Sequence, residues 1–257
     1  MSFVRPIGNL LAGLAIVYVG VCAILYFWQR SLIYFPQPRN SGIGASLLAL
    51  SRDGERILVS TQVRQGPEAL IYFGGNAEDV TPNLPDLART FPNHAIYLMH
   101  YRSYGGSAGS PSEPALIGDG LALFDRVRAE HERVVVIGRS LGSGVAMRVA
   151  VERPVDRLIL VTPFDSLLGV ASAQFPYLPV GWLLADRFES GKYAAKVVAP
   201  TLIVAAEHDE MIPRESTELL RSRFTPGVAS YAVVRGEGHN TISGNPEYWR
   251  LLRGKAD

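Results

Sequence analysis

Cysteine is nearly absent from this chain: Cys22 stands alone among 257 residues, which excludes an intramolecular disulfide framework. An excess of charge of either sign is missing as well. The 25 Lys and Arg against 24 Asp and Glu leave a formal net charge of +1, so there is no field to attract nucleic acid, and no nucleic-acid partner is expected. Internal repeats and low-complexity tracts are also lacking. No lysine follows the glycines of the one glycine-rich turn, Gly138 to Gly144, and their spacing is not G-x-G-x-x-G, which excludes both common phosphate-binding loops.

What the chain does have is one long apolar run. Leu10 to Trp28 contains no charge and no Asn, Gln, Ser or Thr over 19 residues. At about 1.5 Å per residue such a helix matches a hydrocarbon core of about 30 Å. Phe27, Trp28, Gln29 and Arg30 follow where a small-residue cleavage site would stand, so the run reads as an uncleaved, single-pass membrane anchor in residues 1–30. Arg5 before it and Arg30 and Arg39 after it nearly balance, and the positive-inside count selects no side for the rest of the chain. Residues 31–257 then form the globular domain. It opens with "SLIYFPQPR", an aromatic and proline-rich connector expected on the membrane surface or on the domain's back.

Beyond the connector, apolar runs of strand length alternate with helical stretches: Ile57–Val63, Ala69–Phe73, Ala95–Met99, Val134–Ile137, Leu158–Val161, Thr201–Ala205 and Tyr231–Val234. Most are continuously apolar, as strands covered on both faces are. The alternation implies an α/β protein with a mostly parallel, doubly wound sheet. Asp53-Gly54 between two apolar runs marks an antiparallel hairpin ahead of it. Residues 164–198, with "QFPYLPVGWLLADRF" and no clear strand, read as a small cap or a long connection.

The stretch "VVVIGRSLGSG" places Ser140 between Gly138 and Gly142 where a strand turns into a helix. That G-x-S-x-G pattern is steric: residues two positions either side of the serine must lack a Cβ so that strand and helix can approach, and the hydroxyl then projects from the sheet edge. On such an elbow the acid and then the histidine follow later in the chain. Of the five histidines, His94 and His100 precede the serine, His131 ends a helix and also precedes it, and His208 adjoins an acid. His239, in the glycine-flanked "GEGHN" after the last strand, has the right order and a loop to deliver it. Asp209 in "AAEHDEMIP" is the expected acid, with Glu207 and Asp165 as alternatives; Asp165 otherwise reads as a helix cap. Two backbone N–H groups are expected to form an oxyanion hole: that of Leu141, and that of Asn76 or Ala77 in the loop opened by Gly74 and Gly75.

These residues together resemble the α/β-hydrolases, and more narrowly the membrane-anchored serine hydrolases related to the yeast bud-emergence protein and to the animal α/β-hydrolase-domain depalmitoylases and lysolipid lipases. The resemblance rests on "FGGNAED" (Phe73–Asp79), "YRSYGGSAGSPSE" (Tyr101–Glu113), "GRSLGSG", "TPFDSL", "DRFES" and "HDEMIP". It implies an α/β-hydrolase fold with Ser140 as nucleophile, Asp209 as acid and His239 as base. No metal or cofactor is implied. The substrate would be an acyl ester or thioester, lipid-like if the anchor holds the site at a bilayer. A peptidase on the same fold and a non-catalytic membrane-anchored scaffold are the alternatives. The chain departs from the family pattern at Gly74, where a histidine is usual, and at His100, where an acid is common before the Tyr-Arg pair.

Overall fold

A computed structural model describes residues 4–254; residues 1–3 and 255–257, the outer ends of the two expected regions, lie outside the described residues. The apolar run forms one helix, α1 (Val4–Ile33), whose Gly8–Ile33 portion is long and apolar enough to cross a membrane. The helix continues three residues past the expected anchor. It runs unbroken through Gln29, Arg30 and Ser31 and ends at Ile33, and the extended chain through Pro36 and Pro38 then excludes further helix.

Two strands follow, β1 (Ser46–Arg52) and β2 (Glu55–Gln62), joined by Asp53-Gly54. Both turn residues have positive φ, 52° and 78°, as a two-residue type I′ hairpin requires. The remaining strands are β3 (Glu68–Phe73), β4 (Ala95–Met99), β5 (Arg133–Arg139), β6 (Arg157–Val161), β7 (Thr201–Ala206) and β8 (Ala229–Val234). They make one eight-stranded sheet in the order β1-β2-β4-β3-β5-β6-β7-β8. Pairs β1–β2 and β2–β4 are antiparallel and all others parallel, the mixed but mostly parallel sheet expected from the alternation.

Helices α2 (Leu84–Thr90), α3 (Glu113–Arg128) and α4 (Leu141–Glu152) cross between strands on the two faces. So do α7 (Arg214–Ser222) and α8 (Pro246–Arg253), while the short α5 (Leu167–Gln174) and α6 (Val180–Leu183) lie in the segment between β6 and β7. The two sheet faces carry separate apolar clusters, one around Phe73, Val136, Val145 and Leu160, the other around Leu70, Ile137, Ile159 and Leu252. Every side chain of β4 is buried, which is why its sequence is apolar throughout rather than alternating.

Two expectations need correction. The connector does not lie on the back of the domain. Tyr34 is buried and donates its hydroxyl to Asp186, and the Phe35 N–H donates to the Asn76 carbonyl, so the connector clamps the loop after β3 at the carboxyl end of the sheet. The helix cap in "TPFDS" is Ser166, whose hydroxyl accepts from the Gly169 N–H of α5, and not Asp165, which pairs with Arg223 at 2.7 Å.

His100, the departure before the Tyr-Arg pair, is a packed core histidine. It is 2% exposed, its Nε2 lies 2.8 Å from the Ser60 hydroxyl, and its ring covers Gly105, where a Cβ would come within 2.2 Å of Nδ1. Burial pushes its pKa down to about 4, against a weaker opposing pull from Asp79. Between that value and the unfolded value of about 6.5 the unfolded chain binds more protons than the folded one, so this group removes stability as the pH falls through that window. Denaturant unfolding in detergent is expected to show a loss of up to about 3 kcal/mol from this group on acidification to pH about 4, a component absent in His100→Asn.

Candidate active site

The site is built where β3, β5 and α4 converge. Arg139 ends β5, Leu141 begins α4, and Ser140 between them adopts φ 50°, ψ −118°, a strained conformation for a residue with a side chain. The two flanking glycines make that turn possible. A Cβ on Gly138 would stand 2.4 Å from the Gly142 carbonyl oxygen, and a Cβ on Gly142 would stand 2.2 Å from the Phe73 carbonyl oxygen. Strand, helix and the end of the neighbouring strand are thus in backbone contact, with room for hydrogens only.

His239 and Asp209 reach this turn from loops after β8 and β7. The His239 Nε2 lies 2.9 Å from the Ser140 hydroxyl, and its Nδ1 lies 2.9 Å from each Asp209 carboxylate oxygen. Asp209 in turn accepts from the Met211 and Ile212 N–H groups, and His239 is 4% exposed. The alternatives are engaged elsewhere: Glu207 accepts from the Gly236 N–H, and Asp165 holds Arg223. Glu210 accepts from the His239 backbone N–H, a bond that lowers its pKa and fixes the start of the histidine loop. His131 is bound to the Gly66 carbonyl and the Tyr97 hydroxyl, remote in the fold from this loop, and His208 is exposed.

The loop after β3 comes close enough to form an anion site. A Cβ on Gly75 would lie 3.7 Å from the Ser140 Cβ. Among the described residues, no acceptor is bound by the backbone N–H of Leu141, Asn76 or Ala77. Leu141 and Asn76 border the cavity beside Ser140, whereas Ala77 does not line it. The Asn76 carbonyl accepts from Phe35 and Tyr104 and its side chain donates to the Ile33 carbonyl, so the loop is held from outside by the end of α1.

A second pair of residues, unremarked in the sequence, braces both loops. Glu78 accepts from the Gly75 N–H at 2.7 Å, the Tyr72 hydroxyl at 2.8 Å and the Asn83 side chain at 2.6 Å. It also pairs with Arg139 at 3.0 Å, and Arg139 donates onward to the His239 carbonyl. Burial disfavours the Arg139 charge, yet Glu78 and its surroundings more than offset this and hold its pKa above the ordinary arginine value. Gly74 explains its own departure: a Cβ there would strike Val80 at 2.5 Å and crowd the Glu78 carboxylate at 3.2 Å. The available sign was an acid and a base within the two glycine motifs, but their partnership depends on β3 and β5 being neighbours.

Beneath α5 and α6, Ser140 opens into a cavity of about 390 Å³, within the usual size of small-molecule sites. Its walls include Phe164, Val170, Phe175, Leu183 and Ile212, and α1 contributes Leu25, Gln29, Leu32 and Ile33. No lining residue carries a charge.

The sheet order, the strained serine turn and the helices on both faces define an α/β-hydrolase. An esterase of Pyrococcus furiosus superposes with a TM-score of 0.68 over 86% of this chain and 96% of its own, at 17% identity. No protein-family model matches the chain. An uncharacterized protein of Mycobacterium tuberculosis is 34% identical over 244 residues, covering 88% of this chain and 85% of that one. The bem46 protein of Schizosaccharomyces pombe is 28% identical, over 82% of this chain and 79% of its own. A lysophosphatidylserine lipase, ABHD12 of Macaca fascicularis, is 28% identical over 72% of this chain and 54% of its own. The chain belongs to the bem46-related α/β-hydrolases.

Two substitutions test the contacts that shape the site. Gly142→Ala is expected to cost at least about 3 kcal/mol in denaturant unfolding because its methyl meets backbone that cannot yield, whereas Gly181→Ala, in open space, stays within about 0.5 kcal/mol. Glu78→Ala leaves the Arg139 guanidinium buried without its partner and is expected to cost about 3 kcal/mol.

Proposed function

We propose that this protein is a membrane-anchored serine hydrolase that cleaves carboxylic ester or thioester bonds of acyl substrates. The observation that carries the reading is the chain of 2.9 Å contacts from Asp209 through His239 to Ser140. The Ser140 oxygen attacks the acyl carbonyl while His239 Nε2 takes its proton. Asp209 accepts from Nδ1–H, which selects the tautomer with a free Nε2 lone pair and stabilises the imidazolium. Negative charge on the former carbonyl oxygen is met by the N–H groups of Leu141 and Asn76 or Ala77. Collapse expels the alcohol or thiol with the proton from His239, and a water activated by the same nitrogen then hydrolyses the acyl-enzyme.

The uncharged cavity beside Ser140 supports an apolar acyl group rather than a peptide, whose amide groups would lose hydrogen bonds there. The ABHD12 relative supports lipase-like chemistry, and α1 supports attachment to a membrane.

A fluorophosphonate probe tests the reading. The protein is expected to be labelled covalently, Ser140→Ala not at all, and His239→Ala more slowly by about a thousandfold or more. Ester hydrolysis is expected to fall in parallel. Labelling that survives Ser140→Ala overturns the nucleophile, and an unlabelled native protein favours the non-catalytic scaffold.

A further inference from the structure

The segment from Ser166 to Ala185 contains no Asp, Glu, Lys, Arg or His in 20 residues. It is not apolar because it is buried. Tyr177 and Trp182 are each 89% exposed and point away from the domain, and Phe175, which borders the cavity, is still 53% exposed. Such a cluster on a chain surface marks an interaction site rather than a core.

What covers it follows from how the segment sits on α1. At one end, Gln29 exchanges hydrogen bonds with the Leu183 carbonyl and the Ala185 N–H, and Arg30 pairs with Asp186 at 3.2 Å. At the other, the Tyr18 hydroxyl donates to the Tyr177 carbonyl at 2.8 Å. Tyr18 lies 12 residues before Arg30, about 18 Å along a helix axis. It also lies near the middle of the uncharged run Leu10–Trp28. A helix that spans a bilayer therefore carries Tyr177 well below the level of Arg30 and Asp186, to hydrocarbon depth, where a charge-free aromatic segment is stable and a charged one is not. The first charges on either side of the segment are engaged away from it, Asp165 with Arg223 of the domain and Asp186 with Arg30 near the end of α1.

We propose that residues 166–185 are embedded in the same bilayer leaflet as the carboxyl half of α1, and that the cleft between this cap and α1 admits the acyl chain of a membrane lipid sideways from that leaflet to Ser140. Leu25 and Leu32 on the α1 side and Val170, Phe175 and Leu178 on the cap side form the two walls of that path. The ester carbonyl then meets Ser140 at its inner end, while the polar remainder of the lipid stays at the level of Arg30. This inference rests on the reading of α1 as a membrane span and of Ser140 as the nucleophile.

The test uses the full chain in phosphatidylcholine vesicles that contain nitroxide-labelled acyl chains. An environment-sensitive fluorophore is attached to the native Cys22, to Trp182→Cys in a Cys22→Ser background, or to Leu219→Cys in the same background. Position 182, next to Leu183 at the level of Gln29, is expected to be quenched, though less strongly than the deeper position 22, and the exposed α7 position 219 not at all. Quenching at 22 with position 182 behaving like 219 overturns the embedded cap and leaves the anchor standing. Absence of quenching at 22 overturns the anchor and this proposal with it. A blue-shifted but unquenched 182 also overturns it, since protein rather than lipid then covers the cap.

A second readout compares palmitoyl and butyryl esters of one fluorogenic alcohol. Tyr177→Asp with Trp182→Asp, neither in the cavity wall, is expected to slow hydrolysis of the vesicle-borne palmitoyl ester at least tenfold and leave the water-soluble butyryl ester unchanged. An equal effect on both esters, or none on either, overturns sideways entry. If the native chain hydrolyses neither ester, the hydrolase reading itself fails.

Discussion

The backbone contact at Ser140 is the constraint on which the rest of the molecule depends. Three segments meet there with no side chain between them: the end of β5, the first turn of α4 and the carbonyl of Phe73 at the end of β3. A serine at φ 50° costs conformational energy, and it persists because Ile137, Phe73 and Val145 are packed in the core on either side and hold strand and helix where they are. The eight-stranded sheet can be seen as the support of one strained residue. Its parallel strands bring the loops after β3, β7 and β8 to the same edge, and those loops carry Asn76, Asp209 and His239.

Loops delivered to one edge still need to be held, and here electrostatics takes over from packing. Glu78 and Arg139 bond to the loop after β3, to β5 and to the histidine loop. Each charge is largely withdrawn from water and compensated by the other and by neutral donors and acceptors around it, which is the condition under which a buried pair is tolerated. The absence of a side chain at Gly74 belongs to the same arrangement, because the room it leaves is filled by Val80 and by the Glu78 carboxylate.

The third feature is that α1 is not an appendage. Its last turns and the chain after it touch the loop at Asn76, the cap and Asp186, and they form one wall of the cavity at Ser140. The helix that is apolar enough for a membrane therefore also walls the cavity beside Ser140, through Leu25, Gln29, Leu32 and Ile33.

Much of this was legible in the chain itself. The apolar run, the strand and helix alternation, the Asp53-Gly54 hairpin and the glycines around Ser140 follow from periodicity, from turn chemistry and from the steric needs of a tight strand-to-helix turn, all of which act between near neighbours. The order Ser140, Asp209, His239 could be read as well, since it depends only on which strands end in loops. The position of the connector, the pairing of Glu78 with Arg139, the burial of His100 against Gly105 and the meeting of Tyr18 with Tyr177 could not. The pairing of Glu78 with Arg139 exists because the sheet places β3 beside β5, the meeting of Tyr18 with Tyr177 because the segment between β6 and β7 lies along α1, and the burial of His100 because Ser60 of the neighbouring β2 stands against its ring. The sequence by itself determined the elements and the residues able to do chemistry; the tertiary structure decided which of them touch, because long-range contact is set by strand order and packing rather than by any local preference.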